Sequence, residues 1–199
     1  MLQVPVLIEG VRLRLRRSTP ADAATTFAIA CDPEVMRYLE WPAPQCLADT
    51  QDFFDGCAAR WQSRAEYHWM IELKASGLAL GCMGCRIKGH AADFGYFLGR
   101  KHWDQGYATE AARLLVGWLQ RQGSIVRISA TTDADNQASA SVLRKLGLQQ
   151  EGVLRKATVR PNIGLNNGAN NGPKVGPNLS AAPRDTALFA SVQSDGTSA

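Results

Sequence analysis

The stretch FGYFLGRKHWDQGYATEAARLLVGWL, residues 94–119, decides how the rest of the chain is arranged. It begins as a short apolar run, passes through a basic turn that carries Trp103, and becomes a helical pattern after Gly106. The first helical turn contains Ala108 and Thr109, and no bulky aliphatic side chain covers its backbone amides. Free N–H groups at the start of a helix attract anions. The stretch therefore predicts a strand that leads into a helix across a phosphate-binding turn.

The composition is that of a soluble globular domain. The chain has 199 residues, of which 45% are hydrophobic and 20% charged, which suffices for one ordinary domain with its own core. No apolar run approaches the roughly 18 to 20 residues that span a bilayer, and the first residues lack the pattern of a signal peptide. The net charge of +4 is scattered, which gives little support to nucleic-acid binding. We expect one cytoplasmic domain over residues 1–199 that contacts neither membrane nor nucleic acid.

The cysteines raise the question of a metal or redox site. Cys82 and Cys85 have the CxxC spacing found in such sites. However, the pair lies in a strand-like run, where residues three apart point to opposite faces of a sheet. No second pair of cysteines or histidines completes a metal site. We interpret all five cysteines as reduced structural thiols and expect no metal.

Hydrophobic periodicity divides the chain into about seven strands and about four helices. The strands are predicted at residues 11–16, 67–74, 78–87, 93–98, 125–132, 149–159 and 186–192. The helices are predicted at about residues 20–31 and 47–64, from Gly106 to a left-handed cap at Gly123, and at 138–146 before Gly147. Residues 34–39 favour one more helical turn.

A glycine- and asparagine-rich tract separates the last two predicted strands, at about residues 163–182. Glycines recur every four residues there, at Gly164, Gly168, Gly172 and Gly176. The tract has too little apolar surface to offset the entropy lost on ordering. We predict a mobile insertion, and the spacing of four excludes a collagen repeat.

The order of elements and four motifs resemble the GNAT N-acetyltransferase superfamily, and within it the branch of RimJ- and RimL-type ribosomal-protein-alanine N-acetyltransferases. The motifs are GYFL followed by WDQGYATEA at 95–98 and 103–111, NQAS at 136–139, LRKLGL at 143–148, and EGVLR at 151–155 with Arg184-Asp185. The match covers roughly residues 12–162 and resumes near Arg184. The resemblance implies an α/β (α+β) GNAT fold, in which a mixed, mostly antiparallel sheet is splayed between its fourth and fifth strands.

The resemblance also implies a site for acetyl-CoA. Its pyrophosphate would lie on the turn amides, and its pantetheine arm would pair with the strand 93–99, where a backbone N–H near Phe97 or Leu98 polarises the acetyl carbonyl. Asn136 would contact the arm, unless it serves only as a helix cap, and Ser139 would lie near the sulfur and assist the leaving thiolate. The implied catalytic residues are Ser139, Phe97 and Leu98, and the implied cofactor-binding residues are Phe97, Leu98, Gly99, Trp103, Asp104, Gln105, Gly106, Tyr107, Ala108, Thr109, Asn136 and Ser139.

Two residues of the turn depart from the family pattern. Asp104 stands where relatives usually have glycine, and Trp103 stands where they usually have arginine or glutamine. A carboxylate beside a pyrophosphate repels it unless the carboxylate points to water. A P-loop kinase would also place glycines in such a turn, but its Gly-Lys-Ser/Thr element is missing.

The implied reaction is direct transfer of an acetyl group from acetyl-CoA to a primary amine, without a metal. A protein N-terminus is the preferred acceptor. Removing a proton at neutral pH costs roughly 1 kcal/mol for an α-amine and about 4.6 kcal/mol for a lysine amine, so an N-terminal acceptor could lose its proton through water. A small amine (polyamine, amino acid or drug) and a non-catalytic acyl-CoA-binding module are the alternatives. The general base is left open among the carboxylates Glu72, Asp93 and Asp133, and both a monomer and a homodimer are compatible with the sequence.

Overall fold

The computed structural model describes residues 2–163 and 181–193, which build an eight-stranded sheet with helices against both faces. The strands are β1 (Leu7–Glu9), β2 (Leu13–Arg17), β3 (Tyr67–Leu73), β4 (Ala79–Lys88), β5 (Ala91–Leu98), β6 (Arg127–Asp133), β7 (Gln149–Val159) and β8 (Pro183–Val192). The helices are α1 (Ala23–Ala30), α2 (Pro33–Met36), α3 (Leu47–Gln62), α4 (Tyr107–Gln120) and α5 (Gln137–Lys145), with short 3-10 turns at Pro20–Asp22 and Arg100–His102.

The strand at the start of the chain shows what periodicity predicts and what it misses. In β2, Leu13 and Leu15 are fully buried while Arg14 and Arg16 face the other side, as strict alternation predicts. The sequence did not predict β1, which pairs with β2 and covers its edge. With three residues and only Ile8 buried, β1 is too short to display a period.

Helix ends follow local sequence signals in most places. Asn136 caps α5 through its side chain, and Gly147 follows that helix with φ of 83°, as predicted. The predicted left-handed cap at Gly123 is wrong, because α4 ends at Gln120 and Arg121 continues in right-handed geometry.

The sheet is split along the boundary between β5 and β6. Its strand order is β1-β2-β3-β4-β5-β6-β8-β7. β4 pairs with β5 along the whole of β5, from Ala91 to Leu98, whereas β6 pairs with β5, in parallel, only from Ala91 to Asp93. Beyond Asp93 the two strands diverge. The predicted splay between the fourth and fifth predicted strands is confirmed, and the other strand pairs are antiparallel.

Two hydrophobic layers cover the two faces of the sheet. The larger one lies under α4 and α5 and includes Cys85, while the smaller one lies under α1 and α3 and includes Cys82. The CxxC residues therefore point to opposite faces, as predicted. Burial raises the pKa of the Cys82 thiol to about 12 and raises that of Cys85 as well, so both are unreactive thiols.

Several expectations concern sites or segments beyond these layers. Within residues 2–163 and 181–193, no helix is long and apolar enough to cross a membrane. In the same ranges, no group of three or more His, Cys, Asp or Glu side chains is placed to hold a metal ion. The tract predicted as a mobile insertion lies, from residue 164 to 180, outside the described residues.

Candidate active site

A cleft of about 1530 Å³ opens where β5 and β6 diverge. On one side it is lined by the start of α4 and by α5, and on the other by α1, α3 and the loop after α2. We call residues 36–43, which comprise the last residue of α2 and the loop that follows it, the outer wall. The cleft reaches both faces of the sheet because the missing strand pairing leaves a passage between them.

The turn between β5 and α4 has two left-handed residues. Gly106 has φ of 77° and Asp104 has φ of 57°. Left-handed backbone favours glycine and tolerates aspartate, which explains why aspartate can replace the glycine expected at position 104. The Trp103 indole nitrogen donates a hydrogen bond of 2.8 Å to the Leu98 carbonyl. Trp103 thereby fastens the turn to the end of β5.

Arg12 holds the same turn from the opposite direction, a role that the sequence did not predict. Its Nη1 donates to the Gln105 carbonyl at 3.1 Å, and its Nε donates to Glu110 of α4 at 2.7 Å. Its guanidinium lies 4.6 Å from the centroid of the Tyr107 ring. Burial raises the pKa of Glu110, but the hydrogen bonds from Arg12 and Leu13 outweigh burial and lower it. Glu110 is therefore a charged anchor for Arg12.

The hydrogen bonds of β5 show which of its N–H groups face the cleft. The Gly99 N–H donates to the carbonyl of Leu80 in β4, at 2.8 Å. Because N–H directions alternate along a strand, the Phe97 N–H also points to β4, while those of Tyr96 and Leu98 point to the gap beside β6. Of the two predicted polarising groups, Leu98 has the suitable direction. Phe97 lines the cleft with its side chain.

The first turn of α5 presents a second set of polar groups to the cleft. Asn136 accepts a hydrogen bond of 3.1 Å from the Ser139 N–H, which leaves its amide NH₂ free to donate elsewhere. Tyr96 of β5 also lines the cleft, near Ser139. Burial raises the pKa of Tyr96, and the nearby Ser139 side chain opposes that rise. Local sequence does not predict that these two hydroxyl groups lie near each other, because their proximity depends on how α5 packs against β5.

Ten of the twelve predicted cofactor-binding residues line the cleft. The exceptions are Gly99 and Gln105. Gly99 is buried and bonded to Leu80, and the Gln105 side chain folds back to donate to the Lys101 carbonyl at 2.9 Å.

The three carboxylates considered as a base differ in their surroundings. Glu72 is 3% exposed and bonded to Arg14 and Arg16. Burial raises its pKa, but the bonds to the arginines have the larger effect, so the pKa lies below its ordinary value. Asp133 is 1% exposed; burial raises its pKa as well, and Arg184 and the Asp135 N–H more than reverse that effect. Both are occupied by structural ion pairs. Asp93 lines the cleft but is paired with Arg86 at 2.7 Å.

The lining has a slight excess of acidic side chains. Six carboxylates and four Lys or Arg residues line the cleft, namely Glu34, Glu40, Asp49, Glu66, Asp93 and Asp104 against Arg37, Arg86, Lys145 and Arg160. His68 joins them from β3, with its Nε2 at 2.9 Å from Glu66 Oε2. An excess of negative charge favours a cationic ligand such as an amine.

The outer wall is fixed by residues just beyond β7. Asn162 accepts from the Ala43 N–H and donates to the carbonyls of Met36 and Trp41, each at 2.8 Å. The Arg160 Nη1 lies 3.0 Å from Glu40 Oε1. Neither contact could be predicted from local sequence, since the partners are more than one hundred residues apart.

Comparison with known proteins assigns this fold and cleft to a family. Residues 12–149 match the family described as acetyltransferase (GNAT) domain. The chain belongs to the GNAT acetyltransferase family, and it is an N-acetyltransferase.

Individual relatives agree with this assignment. The uncharacterized N-acetyltransferase YoaA of Bacillus subtilis (strain 168) is 31% identical, over 75% of this chain and 86% of its own. An apo structure of RimL, the ribosomal L7/L12 alpha-N-protein acetyltransferase, has a TM-score of 0.76 at 20% identity and covers 94% of both chains. The microcin C7 self-immunity acetyltransferase MccE, in complex with acetyl-CoA and AMP, has a TM-score of 0.76 at 19% identity, over 92% of this chain and 94% of its own. At these identities the two structures show a shared fold.

Proposed function

We propose that this N-acetyltransferase uses acetyl-CoA to acetylate the α-amine of a protein N-terminus. The observation that carries the proposal is the size of the cleft, about 1530 Å³, which exceeds the roughly 300 to 1,000 Å³ of a typical small-molecule pocket. Such a volume leaves room for a peptide end beside the cofactor arm. The solved relative RimL, whose name describes an alpha-N-protein acetyltransferase, has the same fold.

In this proposal the turn and α5 bind the cofactor. The amides of residues 104–109 receive the pyrophosphate at the start of α4, where the helix dipole favours negative charge. The Leu98 N–H, which faces the gap beside β6, donates to the acetyl carbonyl oxygen. The side-chain NH₂ of Asn136 and the hydroxyl of Ser139 face the pantetheine arm from the first turn of α5.

The proposed chemistry is direct attack. The ammonium group of the acceptor loses one proton, and its nitrogen lone pair forms a C–N bond with the thioester carbonyl carbon. The C–S bond then breaks, and the second nitrogen proton converts the thiolate into a thiol, either directly or through Ser139, whose hydroxyl gives its proton to the sulfur and takes up the nitrogen proton in return. Tyr96 also lines the cleft, near Ser139.

A small amine is the second candidate acceptor. The six carboxylates that line the cleft favour it, since a polyamine or another cationic molecule gains from negative charge without needing a peptide groove. A monomer or homodimer in the cytoplasm, where thiols stay reduced, belongs to the same proposal.

The first experiment measures binding and turnover together. We expect acetyl-CoA at about one hundred times its Kd to stabilise the protein by about 2.7 kcal/mol, which raises Tm by about 5 to 11 °C. Thiol release is then measured against peptides with free N-termini, the same peptides with blocked N-termini, and a set of polyamines and amino acids.

Each outcome of that panel selects one answer. Release with free but not blocked peptides supports the proposal, and release with small amines alone favours the second candidate. A Tm shift without release on any amine would instead favour a non-catalytic acyl-CoA-binding module.

A further inference from the structure

A histidine and a glutamate line the part of the cleft that lies under α3, and neither has a role in the site described above. His68 is the second residue of β3 and is 8% exposed. Glu66 immediately precedes β3 and has a side chain that is 30% exposed. A buried histidine inside a cleft is costly unless its ring nitrogens are used, and histidine is the side chain best suited to exchange protons near neutral pH.

The imidazole of His68 contacts Glu66 and Phe53. Its Nε2 lies 2.9 Å from Glu66 Oε2, although the two are not aligned as a hydrogen bond, and the Phe53 ring packs edge-on against the imidazole with centroids 5.0 Å apart. A carboxylate next to Nε2 favours the tautomer in which that nitrogen carries the proton. The lone pair is then on Nδ1, on the other side of the ring.

Nδ1 faces an open channel along Gly84 and Gly95, which we call the glycine lane. A Cβ at Gly84 of β4 would stand 3.3 Å from Nδ1 and 3.8 Å from Glu66 Oε1, so glycine leaves this space to the two side chains. Gly84 pairs with His68 on one side and with Gly95 of β5 on the other, and a Cβ at Gly95 would meet nothing within 4 Å. The lane thus runs from His68 across β4 to β5, next to the gap where β6 diverges.

The length of the lane requires water. His68 and Gly95 lie two strands apart, which corresponds to about 10 Å between their backbones. The acetyl carbonyl is proposed to lie at Leu98, three residues or about 10 Å further along β5 than Gly95. A chain of several water molecules is therefore needed between the amine and Nδ1. This geometry suits proton removal by relay rather than by direct contact.

We propose that His68 accepts, through water in this glycine lane, the proton that the acceptor amine must lose, and that Glu66 is the positioning residue for the imidazole. The proton moves from the ammonium group to water and from water to Nδ1, and the imidazolium that forms is stabilised by the Glu66 carboxylate. The proton passes to solvent after the acetyl group has been transferred. This inference rests on the proposed function and names the base that the reaction lacks.

Other charged groups also surround the pair. Arg60 of α3 lies 3.9 Å from Glu66, and Arg86 of β4, itself paired with Asp93 of β5, faces it across the lane. Glu40 of the outer wall faces Arg86, and the thiols of Cys82 and Cys85 are buried nearby. The close contact with His68 lowers the pKa of Glu66, and burial opposes that effect. Glu66 is therefore charged whenever His68 has to receive a proton.

The test is the pH dependence of turnover in His68→Gln and Glu66→Gln, with the acceptor that the wild-type protein acetylates fastest in the panel above. At pH 7 we expect kcat of His68→Gln to fall about 100-fold. At pH 9.5 the loss should shrink to less than about 5-fold, because most α-amines are already neutral there. In Glu66→Gln the acid limb of the profile should move to lower pH, because an amide holds the imidazolium less strongly than a carboxylate.

Matched control variants and CoA binding distinguish a loss of proton transfer from a loss of structure. His90→Gln and Glu9→Gln change an exposed histidine and an exposed glutamate that do not line the cleft, and both should keep the wild-type profile. The Kd for CoA should be unchanged in every variant. A loss in His68→Gln and Glu66→Gln that is equal at all pH values would overturn the proposed relay, whereas a wild-type protein that acetylates no amine would overturn the proposed function itself.

Discussion

At the scale of single residues, Asp104 is the one whose replacement should improve the cofactor site. Its φ of 57° is left-handed, a conformation that costs a residue with a Cβ about 1 kcal/mol relative to glycine. Its carboxylate also stands on the turn proposed to receive the pyrophosphate. We expect Asp104→Gly to raise the free energy of unfolding by about 1 kcal/mol and to lower the Kd for CoA about 5-fold, as calorimetry and denaturant titration can measure.

Asp104→Asn separates the two effects. Asparagine tolerates left-handed backbone about as well as aspartate does but carries no charge, so this variant should gain affinity without gaining stability. Unchanged affinity in both variants would show that the carboxylate points into water, away from the phosphates.

The residues that the sequence predicted well act through neighbours along the chain. Asn136 caps the helix that starts beside it, and Gly147 ends the same helix. His68, Tyr96 and Arg12 were missed as functional residues because their partners are set by strand register and helix packing. In the sequence, Arg12 belongs to the polar face of an alternating strand, and nothing local connects it to Gln105.

At the scale of elements, the connection between β2 and α4 should control cofactor affinity. Arg12 just precedes β2 and bonds to both the turn and Glu110 of α4. In Arg12→Ala the turn is no longer held in place, so part of the free energy of CoA binding is spent on ordering the turn. We expect the Kd for CoA to rise about 10-fold, while Tm changes by less than about 3 °C because the Arg12 side chain is 46% exposed.

Arg121→Ala is the matched control for that experiment. Arg121 is exposed at the other end of α4 and does not line the cleft, so its removal should leave affinity unchanged. If Arg12→Ala binds CoA as tightly as the wild type, the turn is rigid without the arginine.

The elements themselves were largely predictable, and the exceptions have physical causes. The strand, turn and helix of residues 91–120 form one contiguous unit, so their pattern is complete in the sequence. The splay between β5 and β6 came from the family resemblance alone, because divergence of two strands leaves no periodic signal. β1 was missed because three residues form no pattern.

At the scale of the whole molecule, three buried carboxylates should make the fold sensitive to acid. Asp22, Glu72 and Asp133 are each at most 6% exposed. Burial raises the pKa of each, but hydrogen bonds, chiefly from arginines, bring it below the ordinary values of 3.8 and 4.5. A carboxylate whose pKa is lower in the folded protein than in the unfolded chain stabilises the fold at pH values above its unfolded pKa. That contribution is lost as the pH falls through the folded pKa. Tm should therefore be level from pH 7 to 5 and drop below about pH 4.

Glu72→Gln assigns part of this sensitivity to one group. Losing a carboxylate that bonds both Arg14 and Arg16 should cost about 2 kcal/mol at pH 7, or about 4 to 8 °C in Tm. The deficit relative to wild type should shrink as pH falls below the unfolded pKa, because the stability that the wild-type carboxylate contributes is progressively lost there. A deficit that is constant with pH would mean that packing, rather than charge, is lost.

The hydrogen bonds of Asn162 have a consequence for the order in which the protein becomes functional during synthesis. The outer wall is made from residues 36–43, yet the amide that fixes it lies 119 to 126 residues later. On the ribosome, α1 to α3 can form long before Asn162 emerges, but until then the Ala43 N–H and the Trp41 carbonyl, which bond to Asn162 in the folded protein, can bond only to water. The cofactor turn and α4, complete by residue 120, are thus made earlier than the wall is fixed. A nascent chain would acquire its phosphate-binding half first and its second substrate half last.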